Sequence, residues 1–295
     1  MSSTKKKKGI IATVLSIVGV IVLVLIVLFV FKACSDMKLR AEDAKNMVKT
    51  DEELIGEHFY MKRDGKDDVD LNIYMLETET NLPLVINIHG GAFIAGDADT
   101  LDTQSDRISK SWNAHVVTVN YKLAVDGITK DYAVEEVVDT VKYFIVNAET
   151  YHIDTDNIFI MGYSAGGYHA MASTLELHKQ NITVKGQILC YAFLSDMLDK
   201  YPALTATQKS TMPSALFILA DDEPIGKGSL DYEKALRENG VSTEVKVYDG
   251  AIHGFIEENN PEYEKLHFHD SKSPEQEVMA RDAEDYIKAW INKIA

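Results

Sequence analysis

Between His58 and Tyr248 short β-rich apolar runs alternate with stretches of helical spacing, and this alternation restricts the fold more than any other feature of the chain. The β-rich runs occupy 58–62, 69–77, 84–89, 115–120, 158–161, 187–193, 215–220 and 243–248. Several, such as Leu84-Val85-Ile86-Asn87-Ile88 and Ala215-Leu216-Phe217-Ile218-Leu219-Ala220, are almost continuously apolar, as a strand must be when both of its faces are covered. Helical spacing predicts helices over 132–149, 165–179, 229–239 and 274–293, the third closed by Gly240 in the position of a C-cap. Together these elements predict an α/β fold with a mostly parallel central sheet, helices on both faces, and a site at the C-terminal ends of the strands. A chain of 295 residues is long enough to bury the core of one such domain.

The N-terminus has a different character. Lys5 to Lys8 precede a nearly unbroken apolar run from Ile10 to Phe31, which Lys32, Lys38 and Arg40 follow. About 22 residues at about 1.5 Å each reach roughly 33 Å, enough for a hydrocarbon layer of about 30 Å. The expected organisation is therefore a basic cytoplasmic tail at 1–9, a transmembrane anchor at 10–31, a charged stalk or linker at 32–56, and a catalytic domain at 57–295. The lysines before the span outweigh the basic residues after it, so the expected location is the cell membrane, single-pass, with the catalytic domain outside the cytoplasm.

Charge narrows the partners. The chain carries a net charge of −16, and its first 40 residues hold seven Lys or Arg against one Asp, so the remainder is strongly acidic. Binding to nucleic acid needs clustered cations and is not expected. The two cysteines, Cys34 and Cys190, make no disulfide framework, and Cys190 lies in an apolar run as a small core residue would.

Three segments carry chemistry. In Gly162-Tyr163-Ser164-Ala165-Gly166-Gly167 a serine stands between small residues where the run 158–161 meets a helix, the setting of a strained strand-to-helix turn that exposes a nucleophilic hydroxyl. His89-Gly90-Gly91-Ala92-Phe93 follows a core strand, and its glycines let main-chain N–H groups face a developing oxyanion. We assign those donors to Gly91 and Ala92, together with Ala165 just after the nucleophile. Ile252-His253-Gly254-Phe255 lies past the last strand, and an imidazole there can take the serine proton near neutral pH. The loop after 215–220 offers Asp221, Asp222 and Glu223 to orient it. Chain order serine, acid, histidine favours this loop, with Asp221 first and Asp222 second. Phe93 and Tyr163 flank the serine as candidate substrate-binding residues. No metal site is expected, since His267-Phe268-His269-Asp270 matches a polar surface segment better than a ligand set.

With these segments in view, the chain from about Glu57 to the C-terminus resembles an α/β-hydrolase of the esterase and lipase group that includes hormone-sensitive-lipase-like carboxylesterases and bacterial acetylesterases. Val119-Asn120-Tyr121-Lys122-Leu123-Ala124 is similar to that group's Tyr-Arg-Leu-Ala stretch, 153–158 to the lead into its nucleophile strand, and 220–222 with 229–236 to its acid loop and next helix. The departures are Ala92 in place of a third glycine, Tyr163 where the lipase-like branch has Asp, and the absence of the Pro-Glu expected after Leu123-Ala124, and they pull toward the acetylesterases. The resemblance implies a serine carboxylesterase that cleaves short-chain, acetyl-like esters through an acyl-enzyme, with Ser164, His253 and Asp221 as triad and no cofactor. The expected substrate is a small ester or an acylated carbohydrate, and 194–212 is the expected short cap. The competing expectations are a peptidase or amidase of the same fold and a non-catalytic surface binding protein.

Overall fold

The computed structural model describes residues 2–195, 205–221, 226–267 and 271–295, with side chains of the first helix described at 19, 20 and from 22 onward. It forms two compact units, Met1–Lys45 and Asn46–Ala295. Helix α1 (Ser2–Met47) makes up the first. Among the described residues no helix is long and apolar enough to cross a membrane. This overturns the expected anchor at 10–31, and with it the single-pass membrane location, the extracytoplasmic placing of the catalytic domain and the bilayer as partner. Helix α1 continues through Lys32, Asp36, Lys38 and Arg40.

In the second unit every β-rich run becomes a strand: β1 (Glu57–Met61), β2 (Val69–Tyr74), β3 (Leu82–Ile88), β4 (His115–Asn120), β5 (Ile153–Tyr163), β6 (Gly186–Cys190), β7 (Ser214–Ala220) and β8 (Thr243–Tyr248). They form one 8-stranded sheet in the order β1-β2-β4-β3-β5-β6-β7-β8. The β1–β2 and β2–β4 pairs are antiparallel and all others parallel. Alternate residues of each strand face opposite layers. Leu84, Ile86, Ile88, Ile158 and Ile160 pack on α3 (Lys130–Val146), α5 (Ala165–Lys179) and α7 (Gly226–Glu238), whereas Val85, Phe159 and Met161 pack on α2 (Asp102–Trp112) and α8 (Pro274–Ile294). Two shorter helices, α4 (Ala148–Tyr151) and α6 (Ala206–Ser210), complete the helical elements used below. Each fully buried Leu, Ile or Phe contributes about 1.5–3 kcal/mol, so this double-sided core is the main source of stability.

Helix α2 was not expected from spacing, and its buried face explains why. Gln104, Ser105 and Ser109 turn inward beside Ile108 and Trp112, so the core-facing stripe is largely polar and leaves no apolar periodicity. Its bonds go to the sheet and to α8: Asn87 Nδ2 donates to Ser105 Oγ at 3.1 Å, and Gln104 Nε2 donates to Glu284 Oε1 at 3.0 Å. Asp102 at its N-terminus accepts from Tyr74 Oη at 2.8 Å and Lys49 Nζ at 2.7 Å, and from the N–H groups of Ile55 and Gly56. A carboxylate there meets the positive end of the helix dipole.

Glu136 on α3 holds the segment after β4, accepting from the Lys122 N–H at 2.7 Å, with Arg63 Nη2 3.6 Å away. Burial raises its carboxyl to about 7 despite those partners. The folded state therefore binds this proton more tightly than the unfolded chain. The stability contribution is full below the ordinary carboxyl range and declines as pH rises through about 7. Glu136→Gln keeps the acceptor and removes the titration. The variant is expected to show a flatter fall of melting temperature between about pH 5 and 8 than the wild type, as thermal melts across that range will read.

Candidate active site

Ser164 occupies the one residue between β5 and α5, with φ 51 and ψ −114. A left-handed backbone at a residue with a side chain is costly and persists only where neighbours enforce it. Here they do. The Ser164 N–H donates to Cys190 O at 3.0 Å, and its carbonyl accepts from Phe193 N at 3.1 Å, so the end of β6 clamps the turn. The three glycines around it have no room for a side chain: a Cβ would lie 2.2 Å from Gly166 O at Gly162, 2.2 Å from Ile88 O at Gly166, and 2.4 Å from Ala192 Cβ at Gly167.

His253 arrives from the loop after β8, and its Nε2 stands 2.9 Å from Ser164 Oγ. That is hydrogen-bond reach for a base taking a hydroxyl proton. The loop is fixed to the first turn of α8 by one amide: Gln276 Oε1 accepts from Ile252 N at 2.9 Å and Gln276 Nε2 donates to Gly250 O at 2.7 Å. The edge of the Tyr191 ring meets the imidazole with centroids 5.1 Å apart.

Past β3 the backbone runs through Gly91 (φ 121), Ala92 (φ 53) and Phe93 (φ 70), three left-handed residues in succession. The N–H groups of Ile94 and Ala95 close back on Gly91 O at 3.2 and 2.9 Å. The N–H groups of Gly91, Ala92 and Ala165 find no acceptor among the described residues. Two residues that the sequence left without a role brace this turn. Tyr121 Oη donates to His89 O at 3.2 Å and lies 3.3 Å from Gly90 O, while its ring stacks on His89 at 4.3 Å. The His89 Nδ1 is 2.6 Å from Gly90 O, and complete burial pushes the imidazole down to about 4, so it is neutral near pH 7 and donates there. The signal for Tyr121 lay in the 119–124 stretch, whereas nothing in the sequence marked His89 as a brace.

Phe93 is partly buried and meets Tyr168, His169 and Phe193 edge-on at 5.3, 5.5 and 5.9 Å. Phe193 joins it beside the serine; the apolar run 187–193 gave it only a strand. Tyr163 goes elsewhere. It is fully buried on the α2 side of the sheet, its hydroxyl donating to Gln104 Oε1 at 3.1 Å, and it does not line an open pocket. Period-two alternation along β5 turns it away from Phe93.

Asp221 follows β7, and its exposed carboxylate accepts from Gly250 N–H at 3.3 Å, joining the end of β7 to the loop that carries His253. Asp222 and Glu223 lie outside the described residues, as do 196–204 of the expected cap and Phe268, His269 and Asp270. Among the described residues no three His, Cys, Asp or Glu are grouped to hold a metal ion.

A sequence profile of the alpha/beta hydrolase fold matches residues 85–210 and 195–257. The chain is similar to an arylesterase of Saccharolobus solfataricus, 26% identical over an alignment of 239 residues that covers 68% of this chain and 78% of that protein. It is also similar to an acetyl esterase of Salmonella dublin, 24% identical over 57% of this chain and 64% of the other, just under two thirds of its length. Among solved structures, the hyperthermophilic esterase from the archaeon Pyrobaculum calidifontis superposes with a TM-score of 0.66 at 23% identity, covering 88% of this chain and 92% of that one.

Proposed function

The chain belongs to the alpha/beta hydrolase fold family and is a carboxylic ester hydrolase, and from that premise we propose that it cleaves short-chain, acetyl-like esters through an acyl-enzyme on Ser164. The observation that carries this is the 2.9 Å approach of His253 Nε2 to Ser164 Oγ at a strained strand-to-helix turn. His253 takes the hydroxyl proton as Oγ attacks the ester carbonyl, and returns it to the leaving alcohol. Water then repeats the sequence in reverse roles to free the acid. The oxyanion of each tetrahedral intermediate rests on the N–H groups of Gly91, Ala92 and Ala165, whose lack of an acceptor among the described residues supports that use. The acid that orients His253 comes from the loop after β7, with Asp221 proposed first and Asp222 second. The Asp221 bond to Gly250 N–H supports a part for this loop in holding the base.

Phe93 contributes to the acyl side of the site, where it stands with Phe193 and Tyr168. Bulky rings close to the nucleophile favour small acyl groups over long chains. The likeness to an acetyl esterase supports the same preference, and a small ester or an acetylated carbohydrate is the proposed substrate class. The catalytic domain in this scheme is 57–295. The test is a series of p-nitrophenyl esters from acetate to decanoate: kcat/KM is expected to be highest at two to four carbons and to fall by about tenfold or more at ten. A specificity constant that climbs steadily with chain length would overturn the short-chain assignment.

A further inference from the structure

A carboxyl group lies directly beneath the Ser164–His253 pair. Glu257 sits in the short 3-10 turn Glu257–Asn259, four residues after the base, and only 4% of it is exposed. Its Oε2 accepts from the hydroxyl of Tyr191, whose ring packs edge-on against the His253 imidazole and also against Tyr163 and Phe255. Its Oε1 approaches the other half of the site. A Cβ built on Gly90 would lie 3.1 Å from that oxygen and 3.6 Å from Ser164 Cβ, which puts the carboxyl, the oxyanion turn and the nucleophile side by side. Tyr191 itself is held in a left-handed conformation (φ 37) just past β6, with its N–H on Ile218 O at 2.6 Å. Glu257 therefore reaches the oxyanion turn directly and His253 through the Tyr191 ring.

We propose that Glu257 is a positioning residue, which through Tyr191 sets the orientation of the His253 ring toward Ser164 and, against Gly90, the pitch of the oxyanion turn. The proposal rests on the serine-esterase function given above and adds a residue to it. A core position filled by an acid needs a reason, because a buried carboxyl is costlier than an apolar side chain of similar size. Among the described residues no cation pairs with Glu257. The groups that face it are Tyr191, Tyr163, Cys190 and Tyr263, its neighbour Glu258, and His253 beyond the Tyr191 ring. Burial first, and the Glu258 charge second, hold its carboxyl well above the ordinary range, which favours the neutral acid. A neutral acid can brace Tyr191 without adding charge beside the base. An ionised one would instead raise the basicity of His253.

The experiment measures the rate at which a fluorophosphonate labels Ser164 as a function of pH, alongside thermal melts, for wild type, Glu257→Ala, Glu257→Gln and Tyr191→Phe. This readout needs no natural substrate. Labelling of Glu257→Ala is expected to slow by about 10- to 100-fold, the scale of a misplacement on the order of 1 Å. Glu257→Gln is expected to recover most of that loss, with the acid limb of its pH profile superimposed on the wild type. Tyr191→Phe is expected to slow labelling by several-fold while folding normally, and it decides the matter should Glu257→Ala fail to fold. Wild-type labelling rates in Glu257→Ala or Tyr191→Phe, or an acid limb displaced to lower pH in Glu257→Gln, would overturn the proposal while leaving the esterase mechanism standing. Wild-type protein that is not labelled at Ser164 at all would overturn both.

Discussion

Replacing Ser164 by alanine is expected to reduce ester turnover by about 10⁶-fold, by analogy with serine triads in which the nucleophile acts as one unit with its base. What remains would come from the oxyanion donors and from substrate binding, which the substitution leaves in place. The fold should survive: among the described residues Ser164 Oγ hydrogen-bonds only with His253, and alanine tolerates φ 51 no worse than serine does. The measurement is kcat on p-nitrophenyl acetate with circular dichroism as the control. A variant that keeps more than about one part in a hundred of wild-type kcat would remove Ser164 from the mechanism. The same assay identifies the acid. Asp221→Asn, Asp222→Asn and Glu223→Gln are made singly, and one of them is expected to lose about 10⁴-fold, the typical cost of an orienter that no longer fixes the tautomer of its histidine.

The second large effect comes from adding a single carbon. Gly166→Ala would place a Cβ 2.2 Å from Ile88 O and 2.4 Å from His89 O, and both neighbours are backbone. No rotamer relieves that overlap, so α5 must move away from the end of β3. Ser164 and the 89–93 turn then separate, because one starts α5 and the other continues β3. Overpacking of this kind costs about 3 kcal/mol or more, roughly 6–12 °C in melting temperature for a domain of this size. Activity in the surviving folded fraction should fall by at least about 10². Gly127→Ala is the matched control. Gly127 also has a positive φ, 89, but open space around it, so only a backbone cost of about 1 kcal/mol and an unchanged kcat are expected. A Gly166→Ala protein that melts within a few degrees of wild type with normal kcat would show that the elbow is looser than its contacts indicate.

What could be read from the sequence follows the physics of burial. The strands were legible because a strand covered on both faces must be apolar along its length, and 84–88, 158–161 and 215–220 are. Helix α2 was invisible because it turns Gln104, Ser105 and Ser109 inward, where hydrogen bonds to Asn87, Tyr163 and Glu284 replace apolar contact. Ser164 and His253 stood out because small residues and a loop histidine mark their backbones. Glu257 did not, since an acid in a polar stretch looks like surface until the fold folds it under. Tyr163 misled in the opposite direction: adjacency to the serine in sequence suggested a pocket, while alternation along β5 sent its ring to the other face. The apolar N-terminal run was read for length and composition, and the continuity of α1 through its charged residues was not part of that signal.

The fastening of the His253 loop by Gln276 has a consequence in time. Ser164 and the 89–93 turn are encoded by residue 167, whereas the Gln276 bonds to the His253 loop form only when α8 has docked. A chain emerging from the ribosome therefore carries Ser164 for more than a hundred residues of synthesis before Gln276 can fasten the His253 loop. In the proposed mechanism, a product broken off before α8 would lack this fastening of its base however well its sheet had formed.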